Sequence, residues 1–346
     1  MGAAAEKGGE VMGDIRIGVS SCLLGAPVRY DGRHKREAFI TDTLGSRIEL
    51  VGVCPEVECG LGVPREPMRL AGAPARPGLV AANSGIDHSA RMRAWARRRV
   101  AGLERADLHG FIFKARSPSC GMEDVGVFGC RGGVSGKAPG IFAKALMARF
   151  PALPCEDEAR LRDPDTCENF IERVFALWRF RRAVGASPSL RALMTFHAQN
   201  KLLIQAHSET LARELGRALA RLKANEAAAY IPRYEAGMMR ALKLTATVRK
   251  HTNILQHMLG HLRGRADKAV RKELAGIIES CRRGLVPPAD PIAALRHCAA
   301  RFGIEYLEGQ YYLHPHPLET ELRNHARLVH NNPAPGAERA GPENSV

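Results

Sequence analysis

The chain has 346 residues, of which 45% are hydrophobic and 25% are charged. This composition is ordinary for a globular protein and excludes a chain that is disordered throughout or built from fibrous repeats. No apolar run reaches the roughly 18 residues that a membrane span requires, and the N-terminus lacks the basic and then apolar order of a secretory signal. We therefore expect a cytoplasmic protein with no membrane partner, long enough for about two domains.

Charge and cysteine content give the first positive indications. Lysine and arginine number 51 against 36 aspartates and glutamates, for a formal net charge of +15, and such a surplus favours nucleic acid or a nucleotide as a partner. The nine cysteines are an odd number in a chain without an export signal, which argues against a disulfide framework. Cysteines in Gly/Pro-rich loops are then better interpreted as metal ligands or nucleophiles. Cys281 and Cys298 lie in helical stretches and are predicted to be buried.

Strands and helices alternate in the first half of the chain. β-Rich runs predict strands at 15–19, 48–53 and 109–114, and apolar periodicity predicts helices at 87–105 and 138–149. This order is typical of an α/β domain whose open, mostly parallel sheet has flanking helices.

Helical periodicity dominates the second half. An amphipathic helix within 156–184 closes the first domain, and the long helical patterns that follow predict an all-α C-terminal domain. The two ends are polar and bear Pro or Gly, which favours disorder. We therefore expect four segments, in chain order: a disordered tail (1–13), an α/β domain (14–184), an all-helical domain (185–330) and a second disordered tail (331–346).

Each of the three predicted strands runs into a loop that carries a cysteine. These cysteines are Cys22, Cys54 and Cys120, and loops beyond the carboxyl ends of parallel strands converge on one crevice. Three thiolates from separate loops suit a [4Fe–4S] cluster in which one iron keeps an open position. Structural zinc is less well matched, because it prefers four ligands in close pairs and only Cys54 and Cys59 lie near each other. The alternative is three unrelated core or loop cysteines.

The residues around these cysteines form three motifs: SSCLLGAPVRYDG (20–32), CPEVECGLGVPREP (54–67) and KARSPSCG (114–121). In this order and spacing, over about residues 14–155, the chain resembles the thiouracil desulfurase (desulfidase) family. The resemblance implies an α/β fold and a [4Fe–4S] cluster held by Cys22, Cys54 and Cys120 with one iron free. It also implies removal of sulfur from thiolated uracil, with release of sulfide and no net redox change.

The resemblance further implies that Glu56 and Ser117 take part in the reaction. Glu56 would deprotonate the attacking water, and Ser117 would position the water or the pyrimidine, with Ser119 as the alternative hydroxyl. The alternative interpretations are a solvated loop acid for Glu56 and a turn-capping hydroxyl for Ser117.

A basic rim is also expected near the first two motifs, where it would attract the phosphate of a substrate. The Asp-Gly pair at 31–32 is equally compatible with a simple turn. The candidate substrate-binding residues here are Arg29, Tyr30, Asp31 and Arg65, and Arg33, Lys35 and Arg36 extend the rim.

Cys59 departs from the family pattern, which has a small residue such as glycine at this position. A fourth thiolate on the cluster would remove the open iron and with it the hydrolysis. We expect Cys59 to be a packed thiol instead.

The helical half resembles the YbgA-like domain over roughly residues 188–326, through KHTNILQHMLGHLRG (250–264), RRGLVPPADPI (282–292) and EGQYYLHPHPLETELRN (308–324). His257 and His261 lie four residues apart, a spacing that suits either a metal or ordinary hydrogen bonding. Tyr311, Tyr312 and His314 would stack on RNA bases or plug the core.

The sequence thus predicts an iron–sulfur desulfidase that acts on thiouracil, on a 4-thiouridine nucleotide, or on 4-thiouridine in tRNA. Its partners would be a thiolated pyrimidine base or nucleotide, and tRNA through the basic helical domain. The alternative is a non-catalytic, metal-dependent RNA-binding or regulatory protein. The reverse reaction, sulfur insertion, would need an ATP-activating motif, and the sequence has no P-loop. The sequence leaves open which substrate is preferred and what the oligomeric state is.

Overall fold

A computed structural model describes residues 12–129 and 132–331, with side chains over 14–129 and 132–327. The predicted disordered tails lie outside the described residues, except for the backbone of Met12, Gly13 and Asn331. The chain forms two compact units. The first contains the described residues up to Phe150, residues Cys155–Glu172 and the described residues from Thr320 onward; the second contains Pro151–Pro154 and Arg173–Glu319.

The strands all belong to the first unit. They are β1 (Met12–Ser20), β2 (Ile48–Val53), β3 (Met68–Ala71), β4 (Gly78–Ala81), β5 (Gly110–Phe113), β6 (Val125–Phe128), β7 (Val134–Ala138) and β8 (Cys155–Asp157). The helices are α1 (Pro55–Glu58), α2 (Ser89–Leu103), α3 (Ile141–Arg149), α4 (Pro164–Phe180), α5 (Leu190–His207), α6 (Glu209–Arg221), α7 (Ala227–Leu242), α8 (Val248–Gly260), α9 (Lys268–Arg282), α10 (Ala289–Arg301), α11 (Glu305–Glu308) and α12 (Pro317–Asn331).

The first sheet is fully parallel, with the strand order β2-β1-β5-β8. Alternate residues of β1 (Ile15, Ile17 and Val19) are buried, and every residue of β5 is buried, as expected for central strands covered on both faces. The chain passes from β1 to β2 on one side and returns to β5 on the other side. This reversal makes a topological switch point between β1 and β5, where ligand crevices form in open parallel sheets.

Aromatic packing fixes helices on this sheet. The ring of Phe142 in α3 lies 5.7 Å from Phe111 and 6.3 Å from Phe113, both in β5, and 5.4 Å from Trp95 in α2. These rings bury a large apolar area in one layer. The predicted α/β domain with an open parallel sheet and flanking helices is confirmed.

A second sheet, which the sequence analysis does not predict, has the order β4-β3-β6-β7. The strands β3 and β6 are parallel, and the outer strands pair antiparallel to them. Each strand has only four or five residues, which is too short for an alternating pattern to stand out within Gly- and Pro-rich sequence.

The second unit is helical, which confirms the predicted all-α C-terminal region. Serine and threonine side chains cap three of its helices: Ser189 accepts from Ala192 N–H, Ser208 from Leu211 N–H, and Thr247 from Lys250 N–H. No described helix combines the length and apolarity that crossing a membrane requires.

Two hydrogen-bonded aromatic residues lie in the core of this unit. Tyr234 is fully buried, and its hydroxyl lies 2.9 Å from His197 Nδ1; burial lowers the pKa of His197 to about 4, so the imidazole is neutral. Tyr312 is only 7% exposed and its hydroxyl lies 2.7 Å from His251 Nδ1. Tyr312 therefore belongs to the core and is not available for stacking on a base.

The loop that leads to Cys120 is built on the start of α3. The carbonyl of Ser119 accepts hydrogen bonds from the first amides of the helix, Phe142 N–H at 3.0 Å and Ala143 N–H at 3.2 Å. Gly140 lies against the same peptide, because a Cβ atom there would lie 2.5 Å from the carbonyl carbon of Ser119. Only glycine permits this approach of the two backbone segments.

We predict that Gly140→Ala destabilises the first unit by about 2 kcal/mol, because backbone atoms would have to move apart. Gly102→Ala in α2 is the matched control, since a Cβ atom at Gly102 would meet no heavy atom within 4 Å. The control should be neutral or stabilising by up to about 1 kcal/mol, the difference in helix propensity between the two residues. Urea denaturation of both variants measures the difference, and equal stability of the two would contradict the close approach.

Candidate active site

A cavity of about 760 Å³ lies beyond the carboxyl ends of β1, β2 and β5. Cys22, Cys54 and Cys120 all line it, together with Glu56, Ser117 and Ser119. The structure therefore brings together three cysteines that are 32 and 66 residues apart in sequence order. The switch point between β1 and β5 places them in one crevice.

Short turns present each cysteine. Cys22 lies in a single 3₁₀ turn, Ser21–Leu24, which directly follows β1 and ends at Gly25 with a φ of +91°. Cys54 follows β2 and is the N-cap residue of α1, with its N–H donating to Glu58 Oε1 at 2.9 Å. Cys120 follows β5, and its N–H donates to Ser117 Oγ at 3.1 Å.

Burial raises the pKa of all three thiols. The pKa of Cys22 is raised to about 11, against an opposing effect of the Lys114 ammonium. Burial likewise raises the pKa of Cys54, and it raises that of Cys120 well above the ordinary value although a hydrogen bond with Ser20 opposes it. The charges of Cys22 and Cys54 each act on Cys120, so the three sulfurs lie within electrostatic range of one another.

The chemistry of the donor set fits an iron–sulfur cluster, because three cysteines at one cavity offer the thiolates that such a cluster prefers. Within the described part of the chain, no group of three or more His, Cys, Asp or Glu residues is placed to hold one metal ion. A single zinc ion needs its ligands within about 2.3 Å of one point. A [4Fe–4S] cluster binds each thiolate through a different iron, so its ligands are spread over a wider space, and thiolates are the ligands it prefers.

Both oxygens of the Glu56 carboxylate accept hydrogen bonds from neighbouring side chains. Arg65 donates to Oε2 through Nε at 2.9 Å and through Nη2 at 2.5 Å, and Ser119 Oγ donates to Oε1. The side chains of Arg65 and Glu56 are only 6% and 14% exposed. A buried, charge-assisted pair of this kind is strong and fixes direction, so Arg65 acts here by orienting Glu56.

The two serines of the third motif have different partners. Ser117 Oγ accepts the N–H groups of Ser119 at 3.3 Å and Cys120 at 3.1 Å, which is the contact pattern of a turn-capping hydroxyl. Ser119 is fully buried and is the serine that reaches Glu56. The two hydroxyl oxygens lie 3.4 Å apart, so Ser117 also lies close to the carboxylate.

The predicted rim residues divide into two groups. Arg29 and Tyr30 line the cavity, and the guanidinium of Arg29 lies 5.6 Å from the centre of the Tyr30 ring. Asp31 does not line the cavity, and its Oδ1 accepts Arg33 N–H at 3.1 Å within the turn. Cys59 does not line the cavity either, and its Sγ donates to the carbonyl of Glu56 at 3.3 Å.

Lys114 and Glu158 line the cavity as an ion pair that the sequence analysis does not identify. Glu158 also accepts Ala115 N–H at 2.7 Å, and Lys114 N–H donates to Ser20 Oγ at 2.9 Å. These bonds tie the start of the Cys120 loop to β1 and to the residues after β8. In the sequence, only the position of Lys114 at the end of a buried strand indicated a role at the site. The ion pair itself could not be predicted, because Glu158 is 44 residues away.

Both halves of the chain match models of known protein families. The family model described as 2-thiouracil desulfurase matches residues 17–158, and a model described as a protein of unknown function, DUF1722, matches residues 201–317.

Two bacterial relatives share 32% identity with the chain. The uncharacterized protein YbgA of Escherichia coli (strain K12) aligns over 158 residues, which are 45% of this chain and 94% of that protein. The uncharacterized protein YbbK of Bacillus subtilis (strain 168) aligns over 108 residues, 30% of this chain and 71% of that protein.

A solved structure of a [4Fe-4S]-dependent thiouracil desulfidase, TudS, is 32% identical, with 42% of this chain and 93% of that chain covered. Its TM-score of 0.35 is too low to support a structural argument. The sequence matches confirm both predicted resemblances. The chain therefore belongs to the 2-thiouracil desulfurase family through its N-terminal region, which is followed by a DUF1722 region.

Proposed function

We propose that this protein is a [4Fe–4S]-dependent desulfidase that converts a thiolated uracil into its oxo form and releases hydrogen sulfide. The observation that carries the proposal is the convergence of Cys22, Cys54 and Cys120 at one cavity, with the carboxylate of Glu56 beside them. The family match over residues 17–158 supports the same reaction.

Cys22, Cys54 and Cys120 would hold the cluster. When bound, a cluster with three protein ligands supplies one iron with an open position, which polarises the thiocarbonyl group as a Lewis acid. The overall reaction exchanges C=S and water for C=O and hydrogen sulfide, so no electrons are transferred.

Glu56 is the proposed general base. Ser119 occupies one lone pair of Oε1, and a carboxylate oxygen keeps a second lone pair, which can accept a proton from a water molecule placed in the cavity. That water attacks the carbon of the thiocarbonyl group, and Glu56 then returns the proton to the departing sulfur. Arg65 and Ser119 keep the carboxylate in one orientation throughout.

Ser117 is proposed to position the water or the pyrimidine. Its oxygen accepts Cys120 N–H, while its O–H remains a donor that can point to the substrate. Its separation of 3.4 Å from Ser119 Oγ keeps this donor next to the proposed base.

The size and charge of the cavity support the proposed substrate class. A cavity of about 760 Å³ lies in the usual range for small-molecule sites, and Arg29, Lys35 and Arg116 give its lining basic groups. We propose a thiolated uracil base or nucleotide as substrate, and 4-thiouridine in tRNA as a further substrate favoured by the net charge of +15. Free thiols persist in a reducing compartment, and we propose the cytoplasm.

Alanine at Cys22, Cys54 or Cys120 should each remove the brown colour, the bound iron and the activity from protein purified without oxygen. Cys155→Ala is the matched control, because Cys155 does not line the cavity, and it should retain all three. Normal iron content in all three ligand variants would favour a non-catalytic protein in which these cysteines serve structure only.

Glu56→Gln should retain the colour and iron but lower kcat by about 10²- to 10⁴-fold, since general-base catalysis is lost. Glu49→Gln is the control, because the exposed Glu49 of β2 pairs with Arg16 and does not line the cavity. Its turnover should remain close to that of the unmodified protein. Normal turnover of 2-thiouracil by Glu56→Gln would show that Glu56 is not the base.

In protein stripped of iron, the thiol of Cys22 should stay protonated well above neutral pH. Burial favours the neutral thiol, so raising the pKa from 9.0 to about 11 should slow alkylation near neutral pH about 100-fold relative to an ordinary thiol. Peptide mass mapping after iodoacetamide treatment measures the rate, which should increase until the pH passes about 11. In urea, Cys22 should react at the ordinary rate. An unshifted pH profile in the folded protein would contradict the buried position.

A further inference from the structure

The ion pair of Lys114 and Glu158 lies beside the cysteines and takes no part in the proposed proton transfers. Both residues line the cysteine cavity, and their side chains are only 19% and 8% exposed. A buried pair of this kind adds little stability compared with apolar residues of similar size, because both charges lose their hydration. Stability alone therefore does not explain an ion pair in this wall of the cavity.

Glu158 holds the chain where it leaves β5. Its backbone N–H donates to the carbonyl of Phe113 at 3.3 Å, and its Oε2 accepts Ala115 N–H at 2.7 Å. Its Oε1 accepts a hydrogen bond from the ammonium of Lys114. Three consecutive residues are thus tied to the one residue that follows β8, and they lead directly into the turn that carries Cys120.

Lys114 connects the same segment to β1. Its backbone N–H donates to Ser20 Oγ at 2.9 Å, and its ammonium also donates to the carbonyl of Ala115 at 3.0 Å. A serine hydroxyl has a single proton, and Ser20 shares a hydrogen bond with the sulfur of Cys120. The contacts of Lys114 and Glu158 therefore join the ends of three neighbouring strands around Cys120.

The two charges of the pair also act on Cys22, with opposite signs. Burial has the largest effect and raises the pKa of Cys22; the ammonium of Lys114 lowers the pKa, and the carboxylate of Glu158 raises it by a smaller amount. The pair is thus within electrostatic range of a second cysteine of the cavity. Removal of either partner would leave one uncompensated charge beside that sulfur.

We propose that Lys114 and Glu158 are positioning residues for the iron–sulfur cluster, which fix the Cys120 loop on the sheet and hold a compensated pair of charges beside Cys22. The inference rests on the cluster of the proposed function. Substitution of residues that orient metal ligands typically changes metal affinity by about 10- to 100-fold. Net charge around an iron–sulfur cluster sets its reduction potential, so the potential reports these charges even though the proposed reaction transfers no electrons.

The test measures the reduction potential of the cluster in the full chain, reconstituted without oxygen. Glu158→Gln leaves the ammonium uncompensated and should raise the potential, because positive charge stabilises the more negative, reduced cluster. Lys114→Met leaves the carboxylate uncompensated and should lower the potential. The double variant should lie between the two single variants. A merely structural pair would not give this reversal of sign, since loosening the same loop from either partner shifts the potential in one direction.

Iron retention tests the contacts to the loop separately from the charge. Glu158→Ala removes both carboxylate contacts and should lower the chelator concentration that removes half of the iron by about tenfold. Lys137 and Asp124 are the matched control, because they form an exposed ion pair at 3.3 Å and do not line the cavity. Lys137→Met and Asp124→Asn make the same charge changes and should alter neither the potential nor iron retention.

The inference is overturned if Glu158→Gln leaves the potential unchanged, if both single variants shift it in the same direction, or if Glu158→Ala retains iron as the unmodified protein does. Urea denaturation checks that each variant is folded. If Lys114→Met does not fold, the potential must rise in Glu158→Gln and fall back in the double variant. An unmodified protein that binds no cluster would refute the proposed function and this inference together, whereas a normal unmodified protein with unresponsive variants would refute the inference alone.

Discussion

The parallel pairing of β1 with both β2 and β5 is the constraint on which the cysteine cavity depends. Ser20 pairs with Val53 at the ends of β1 and β2, and Val19 pairs with Ile112 near the end of β5. The three loops therefore leave the sheet at one edge, on the two sides of a switch point. Ser20 strengthens this arrangement, because its hydroxyl accepts Lys114 N–H and forms a hydrogen bond with the sulfur of Cys120.

The polar groups beside the cysteines are organised around one carboxylate. Glu56 follows Cys54 within a single helical turn, and it is held by Arg65 from the second motif and by Ser119 from the third. The motifs that carry the cysteines thus also carry the groups that orient the proposed base. A preorganised carboxylate loses little free energy in reorganisation when charge develops during the reaction, which is why this arrangement favours catalysis over a purely structural role.

Sequence reasoning was successful where hydrophobic periodicity is long and local. The strands β1, β2 and β5 and the helices α2 and α3 follow from their apolar patterns, and the cysteine loops follow from the strand ends. The second sheet was missed because its strands are short, and Lys114 was missed because its partner Glu158 is distant in sequence. The different partners of Ser117 and Ser119 could not be predicted from the sequence either, since two hydroxyls in one loop are distinguished only by the contacts that the folded chain provides.

The proposed reaction requires that three thiolates hold one cluster and leave one iron open to the substrate. Mössbauer spectroscopy of anaerobically reconstituted protein, recorded before and after addition of 2-thiouracil, measures this directly. We expect one iron of the four to change its spectrum when the thiocarbonyl compound is added, while the others keep theirs. A cluster whose irons all remain unchanged at saturating 2-thiouracil, or that retains a fourth protein ligand, would contradict it.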